Sequence, residues 1–178
     1  MKKIIVIGCP GSGKTTFAEK LHKATEIPLF YLDAIWHKPD RTHISRPEFD
    51  AHLAEILEQD TWIIDGNYSR TLEVRMQNCD TVFLFDLPVE VCLQGATDRL
   101  GKGRYDMPWI DTKLDPGLKQ EIEVFPKKNL PDIYALLEKY KETVQPIIFK
   151  TREAADAYIS GRQWGNFEGK TIGDKMGA

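Results

Sequence analysis

The chain has 178 residues and a formal net charge of −3, with 42 % hydrophobic and 29 % charged residues. This length suits one globular domain with a sizeable core, and the composition is that of an ordinary soluble protein rather than a disordered or membrane-spanning one. A net negative charge argues against attraction of nucleic acid by the overall field of the molecule.

Short apolar runs alternate with helical patterns from the first residues onward. The predicted strands cover residues 4–7, 28–32, 62–64, 82–85 and 147–149, and the predicted helices cover 15–23, 47–58, 89–100, 132–140 and 152–159. Such alternation predicts a three-layer α/β fold with a five-stranded parallel sheet and helices on both faces. We expect one domain over residues 1–160 and a flexible C-terminal tail over 161–178.

A glycine-rich octapeptide, Gly-Cys-Pro-Gly-Ser-Gly-Lys-Thr at residues 8–15, lies between the first predicted strand and the first predicted helix. This is the P-loop (Walker A) pattern, whose backbone N–H groups surround phosphate oxygens. Its lysine, Lys14, contacts the β- and γ-phosphates, and the hydroxyl of Thr15 is a ligand for Mg²⁺. The pattern predicts ATP and Mg²⁺ as ligands and these nucleotide-binding residues: Gly8, Pro10, Gly11, Ser12, Gly13, Lys14, Thr15 and Thr16.

Acidic residues follow several of the predicted strands, and parallel strands present their carboxyl ends at one edge of the sheet. Asp33 follows the second strand, where it is a candidate for orienting an acceptor oxygen or accepting its proton. Asp65 follows the third strand at the position of a Walker B acid, so we expect it to bind Mg²⁺ through water. For each residue, an acid in a turn at the end of a strand is the alternative interpretation.

Two segments are long for connections within such a sheet. We interpret residues 34–58 as an insert that binds the acceptor and residues 101–131 as a lid that closes over it. Trp36 and Trp109 lie in these segments, where they either stack on an aromatic acceptor or pack within the insert and the lid.

The three cysteines have no metal-binding spacing and cannot all pair, which favours a reduced, cytoplasmic protein. No apolar run is long enough to span a membrane. We expect a small-molecule phosphoryl acceptor as the partner, no direct DNA binding, and a monomer or weak dimer.

Further motifs carry a resemblance to known kinases. The stretch Asp-Gly-Asn-Tyr-Ser-Arg-Thr at residues 65–71 resembles a motif of adenylate kinases, and Thr97–Arg104 resembles the double-arginine segment where their lid begins. A nearer resemblance, over about residues 1–160, is to the family known as DNA topology modulation proteins (FlaR type). It is carried by Tyr-Leu-Asp at 31–33 with Trp36, by Asp-Gly-Asn-Tyr at 65–68 and by Phe-Pro-Lys-Lys at 125–128.

The resemblance implies further roles. Arg70 would hold an acceptor phosphate or carboxylate, and a surface salt bridge is the alternative interpretation of this residue. Arg99 and Arg104 would stabilise the charge of the transferred phosphoryl group when the lid closes, although Arg99 could instead stack on adenine. Arg152 would lie beside the adenine ring. The adenylate-kinase signature Thr-Gly-Asp-Met-Leu-Arg is absent, which argues against AMP as the acceptor; the position of Asp33 instead resembles small-metabolite kinases, in which an Asp holds the acceptor hydroxyl.

The sequence therefore predicts an ATP-dependent phosphotransferase that acts on a small molecule, such as a nucleoside or nucleotide. The alternative is a regulatory ATPase that affects DNA topology without small-molecule transfer. A GTPase is not favoured because the guanine-reading motif Asn-Lys-x-Asp is missing.

Overall fold

A computed structural model describes residues 1–162 and Trp164. Five parallel strands form one sheet in the order β2-β3-β1-β4-β5. The strands are β1 (Lys3–Gly8), β2 (Leu29–Tyr31), β3 (Trp62–Asp65), β4 (Thr81–Phe85) and β5 (Gln145–Phe149). The register pairs Val6 with Asp65 and Gly8 with Phe85, so the ends of β1, β3 and β4 lie side by side at one edge.

In the described part of the chain, eight helices connect and follow these strands. They are α1 (Lys14–Thr25), α2 (Leu32–Trp36), α3 (Arg46–Leu57), α4 (Ser69–Asn78), α5 (Val89–Asp98), α6 (Pro116–Lys128), α7 (Leu130–Lys139) and α8 (Arg152–Ser160). Residues Ile4 to Ile7 of β1 have no exposed surface. Because successive strand residues point to opposite faces, both faces of the sheet are covered by helices, which confirms the predicted three-layer α/β architecture.

An aromatic cluster anchors α1 to the sheet. The Phe17 ring of α1 lies 4.8 Å from that of Phe83 and 5.2 Å from that of Phe149, and Phe83 and Phe149 stack at 5.9 Å. Tyr158 of α8 packs edge-on against Phe83. The cluster fixes the start of α1, and with it the loop between β1 and α1, against three neighbouring elements.

The structure differs from the predicted secondary structure in three places. Strand β2 ends at Tyr31, and the next five residues form α2, so Asp33 lies in a helical first turn and not at a strand end. Helix α4 was not predicted. Helix α6 continues through Pro126 and buries Ile122 and Phe125, so the second half of the expected lid is a helix packed into the core.

The C-terminal segment is described only at its beginning. Helix α8 ends at Ser160, and the Trp164 indole N–H donates to the carbonyl of Ile159 at 3.0 Å. The expectation of a flexible tail falls mainly on residues outside the described part. Among the described helices, none is long and apolar enough to cross a membrane.

Candidate functional site

The loop between β1 and α1 places main-chain N–H groups around a hollow at the start of α1. Gly8, Gly11 and Gly13 have φ values of 147°, 80° and 101°, which favour glycine. Gly13 is the N-cap of α1 and has no side-chain acceptor, so the first-turn N–H groups face the hollow without a side-chain cap. The positive end of the helix lies at the same point, an arrangement that suits phosphate oxygens.

Two buried polar atoms at this loop have no hydrogen-bond partner within the described residues: the hydroxyl oxygen of Ser12 and Oδ1 of Asp65. Both residues are almost fully buried. A buried polar atom without a partner is costly, so such atoms point to a ligand or to water. Their position in and beside the P-loop fits a phosphate group with its cation.

The predicted metal residues Thr15 and Asp65 lie together. The Thr15 hydroxyl donates to Oδ2 of Asp65 at 2.6 Å. Burial raises the pKa of Asp65 to about 6, although the charge of Lys14 and the Thr15 hydrogen bond oppose this rise. A cation here would favour the ionised carboxylate. Within the described residues, no group of three or more His, Cys, Asp or Glu side chains is arranged so that it could hold a metal ion. Mg²⁺ does not require such a group, since it keeps several waters and phosphate oxygens as ligands.

A first cavity of about 490 Å³ opens over the P-loop. We call it the donor cavity. Its lining includes Gly11 and Gly13 of the P-loop, Thr16 at the start of α1, Arg99 and Tyr105 from the segment after α5, and Arg152 from α8. Tyr105 is 84 % exposed, so its ring is free of the core.

A second cavity of about 680 Å³ lies between the P-loop, α2 and α6. We call it the acceptor cavity. Asp33, Trp36, Tyr68 and Trp109 contribute to its lining, together with Pro10 of the P-loop. Both volumes lie within the range of small-molecule sites.

The two cavities share five lining residues: Lys14, Thr15, Arg99, Arg104 and Asp106. We call this set the junction. Three of its members are cations, which is the charge needed where a phosphoryl group passes from one ligand to another. The structure therefore brings the candidate residues Lys14, Arg99 and Arg104 together and adds Asp106.

Asp106 holds Arg104 in place. The guanidinium donates to both carboxylate oxygens, from Nε at 2.8 Å and from Nη2 at 2.6 Å. Only 5 % of the Asp106 side chain is exposed. Burial lowers the pKa of Arg104, but the hydrogen bonds and charge of Asp106 outweigh it and raise the pKa overall. Burial and the nearby Arg104 charge lower the pKa of Arg99.

Asp33 is oriented by Tyr68, whose hydroxyl donates to Oδ1 of Asp33 at 2.9 Å. Tyr68 has φ 34°, an unfavourable value for a bulky residue. The fully buried Arg75 stabilises this conformation, because its guanidinium donates to the carbonyls of Gly66 at 2.8 Å and Tyr68 at 3.1 Å, and also to that of Asn67. Burial lowers the pKa of Arg75 to about 9.

The loop held by Arg75 also contacts the P-loop. Oδ1 of Asn67 accepts a hydrogen bond from the Gly8 N–H at 3.0 Å. One segment after β3 thus positions an acceptor-side carboxylate through Tyr68 and a P-loop residue through Asn67. Sequence analysis did not identify Arg75, Asn67 or Asp106 as functional candidates. The only signal for Arg75 is its helical spacing from the buried Thr71 and Leu72 of α4.

Aromatic side chains form one wall of the acceptor cavity. Trp36 stacks on His43 at 4.4 Å and packs edge-on against Phe49 at 5.6 Å. Trp109 contacts His37 at 5.1 Å, and the Arg41 guanidinium lies 5.3 Å from its ring centre. Trp36 therefore packs within the insert and also lines the acceptor cavity. Its position is compatible with both interpretations of this residue, packing within the insert and stacking on an acceptor.

Two predicted arginines have other partners. Arg152 donates to the carbonyls of Gly11 at 2.8 Å and Ser12 at 3.1 Å, so it supports the P-loop backbone while lining the donor cavity. Arg70 is paired with Asp50 through two hydrogen bonds of 3.0 and 2.6 Å and does not line the acceptor cavity. The structure does not bring Arg70 to the acceptor side.

No protein-family model matches this sequence, and no curated protein matches it. Among solved structures, the chain is similar to the unliganded crystal structure of a sugar kinase from Janibacter sp. HTCC2649, with a TM-score of 0.52 and 18 % sequence identity. The match covers 90 % of this chain and 91 % of that one. The likeness shows that the chain has a kinase-like α/β fold over nearly its whole length.

Proposed function

We propose that the protein is a P-loop kinase that uses ATP and Mg²⁺ to phosphorylate a hydroxyl group of a small molecule. The observation that carries this proposal is the junction, where Lys14, Thr15, Arg99, Arg104 and Asp106 line both the donor and the acceptor cavity. A site that only bound or hydrolysed ATP would need the donor cavity alone. A second cavity that reaches the same cations supports transfer to a second ligand.

The residues around the donor cavity have distinct roles in this proposal. The P-loop N–H groups and Lys14 bind the phosphates of ATP, and Gly8, Pro10, Gly11, Ser12, Gly13 and Thr16 shape the hollow. Thr15 directly and Asp65 through water would hold Mg²⁺, whose charge would neutralise that of the β- and γ-phosphates. Arg152 keeps the P-loop carbonyls of Gly11 and Ser12 turned away from the nucleotide.

Asp33 acts on the acceptor side. With Oδ1 bound to Tyr68, its other carboxylate oxygen can accept a hydrogen bond from the acceptor hydroxyl. The acceptor oxygen forms a bond to the γ-phosphorus while the bond from that phosphorus to the bridging oxygen of ADP breaks, and the hydroxyl proton passes to Asp33. Arg99 and Arg104 stabilise the negative charge on the transferred group, and Trp36 contributes to acceptor binding.

A turnover assay tests this proposal. Purified protein is incubated with Mg·ATP and a panel of hydroxyl-bearing metabolites, and ADP is measured by a coupled assay with identification of the phosphorylated product. We expect one class of acceptor to raise ATP turnover sharply. Lys14→Ala should remove this activity while circular dichroism shows an unchanged fold, because Lys14 lies at the ligand and not in the core.

Turnover that is independent of every acceptor, or that rises only with DNA, would contradict the proposed kinase and favour the regulatory ATPase. Membership of the DNA topology modulation family stays a prediction that rests on the three stretches of sequence similarity.

A further inference from the structure

The charges that line the acceptor cavity are unequally divided between its two ends. At the junction, Lys14, Arg99 and Arg104 face a single carboxylate, that of Asp106. These three cations also line the donor cavity, so the phosphates of ATP would occupy their positive charge. Little of their positive charge then remains to balance an anionic group on the acceptor.

Away from the junction the balance is reversed. Four carboxylates line this part of the acceptor cavity, and one guanidinium, that of Arg41, lies with them. We call these four residues the acidic side; they are Asp33, Asp111, Asp115 and Glu121. The Arg41 guanidinium lies 5.3 Å from the ring centre of Trp109.

The negative charges of the acidic side are not cancelled by ion pairs. Asp33 accepts from the Tyr68 hydroxyl, Asp111 from the Trp109 indole N–H at 3.0 Å, and Asp115 from the Leu118 N–H at 2.9 Å. All three donors are neutral. In the part of the chain that the structure describes, no member of the acidic side forms a salt bridge.

Arg70, the residue expected to hold an acceptor phosphate, does not balance the negative charge of the acidic side. Arg70 is paired in a bidentate manner with Asp50 and lies outside the cavity lining. A phosphate or carboxylate on the acceptor would therefore enter a part of the cavity that has four carboxylates and, among the described residues, only the guanidinium of Arg41 to balance them. The indole rings of Trp36 and Trp109 offer instead an apolar wall for the face of a ring.

We infer, on the basis of the proposed kinase function, that the acceptor is a ring-shaped hydroxyl compound without an anionic group, such as an unphosphorylated sugar or nucleoside. An ammonium group on the acceptor is tolerated and strengthens binding. Nucleoside monophosphates, sugar phosphates and sugar acids bind more weakly, by about tenfold. Asp33 receives the acceptor hydroxyl, and the rest of the acidic side sets the charge that the cavity accepts.

The magnitude of this discrimination follows from Coulomb's law. Three uncompensated negative charges at about 8 Å from an added negative charge, in a medium close to water, reduce affinity about tenfold. Because part of this interaction crosses solvent, raising the ionic strength should reduce the difference in affinity between neutral and anionic compounds.

The test measures binding in matched series of compounds that differ only in charge. Thermal shift and calorimetry are carried out on the whole protein with saturating Mg²⁺ and the ATP analogue AMP-PNP, which occupies the donor cavity. The series are glucosamine, glucose and glucuronate, and adenosine and AMP. We expect the neutral or cationic member of at least one series to bind at least about tenfold more tightly than its anionic member.

Two neighbouring acids of α6 provide a matched pair of variants. Glu121 lines the acceptor cavity, whereas Glu123 faces Lys119 outside it. Glu121→Gln should reduce the ratio of the affinity for the neutral member to that for the anionic member about twofold, since it removes one negative charge of the acidic side. Glu123→Gln should leave the ratio unchanged. Both variants should keep the melting temperature of the wild type within a few degrees.

Three results would overturn the inference. They are equal or tighter binding of the anionic members, an equal effect of the Glu121 and Glu123 variants, and no binding by any member of the series. Failure of the proposed kinase function would be seen differently. In that case the neutral members would bind with the expected preference, but with ATP in place of AMP-PNP no phosphorylated product would form.

Discussion

The contact between Gly95 of α5 and the P-loop allows a sharp test of how the donor cavity is built. A Cβ atom placed on Gly95 would lie 2.1 Å from the carbonyl oxygen of Gly11 and 2.3 Å from Nη2 of Arg152. Gly95 lies within a helix and does not have a left-handed φ, so only this close approach explains the need for glycine. The substitution Gly95→Ala therefore pushes directly on the P-loop backbone.

Two opposing terms set the size of the effect. Alanine stabilises a helix interior by about 1 kcal/mol relative to glycine. Overpacking that forces backbone to move costs about 1–3 kcal/mol. At 2.1 Å the overlap is severe and involves a main-chain oxygen, so we expect the cost to be near the upper limit. The net loss in the free energy of unfolding should be about 1–2 kcal/mol.

Nucleotide binding should respond as well. The Gly11 carbonyl and Arg152 would both be displaced, and Arg152 supports the P-loop at Gly11 and Ser12. We expect the affinity for Mg·ATP to fall about tenfold, which corresponds to about 1.4 kcal/mol. Urea unfolding measures the first effect and titration calorimetry the second.

Gly103 provides the control. It also lines the donor cavity, but a Cβ atom on it would meet nothing within 4 Å, and its φ is not left-handed. Gly103→Ala should change stability by less than about 0.5 kcal/mol. If Gly95→Ala kept both the stability and the ATP affinity of the wild type, the described contact between α5 and the P-loop would be refuted.

Three further substitutions test individual residues of the site. Burial raises the pKa of Asp65 from 3.8 to about 6, so the folded state binds the proton of this carboxyl more tightly than the unfolded state does. Asp65 therefore lowers the stability of the nucleotide-free protein by up to about 3 kcal/mol as the pH rises from 4 through 6. Asp65→Asn should remove this loss of stability in urea unfolding between pH 4 and 8, and an unchanged dependence of stability on pH would contradict the prediction. Arg104→Ala should lower kcat about a hundredfold with little change in the KM for ATP, since its charge is needed in the transition state; an equal loss in both would assign it to ground-state binding. Tyr68→Phe should raise the KM for the acceptor about fivefold through loss of the hydrogen bond to Asp33, while the affinity for ATP stays constant; a selective loss of ATP affinity would refute the role of Tyr68.

The sheet and the P-loop could be predicted from the sequence because both depend on local pattern. The run Ile4–Ile7 is apolar throughout, as expected for a strand buried on both faces. The glycines that follow it have φ values that the motif requires. All five strands lie where the apolar runs indicated, with bounds that differ by a few residues.

Helix α6 was underestimated because a proline usually marks a helix boundary. Pro126 lacks an N–H, so it leaves the carbonyl of Ile122 without its helical donor. That carbonyl accepts instead from the Cys9 thiol at 3.9 Å, a partner that is 113 residues away in sequence. Burial of Phe125 in the core further stabilises the last turn of α6. Neither contact can be seen in the local sequence.

The hydrogen-bond partners of the charged site residues could not be predicted from the local sequence either. Arg104 and Asp106 are close in sequence, and an Arg and an Asp at that spacing do not by themselves indicate a bidentate ion pair. The burial of this pair depends on the tertiary structure around it. Arg75 is a charged residue on the buried face of α4, and its partners are main-chain carbonyls of a loop. Tertiary structure decides such contacts, so the sequence identified Asp33 as a candidate without showing what orients it.

The most direct test of the account is a crystal structure of the protein with Mg²⁺ and a non-hydrolysable ATP analogue. The account predicts that the β-phosphate lies among the N–H groups of residues 8–15, with Mg²⁺ about 2.1 Å from the Thr15 hydroxyl oxygen and linked to Asp65. The γ-phosphate should face the junction at Arg99 and Arg104. An empty P-loop at saturating nucleotide, or a γ-phosphate directed away from the acceptor cavity, would contradict it.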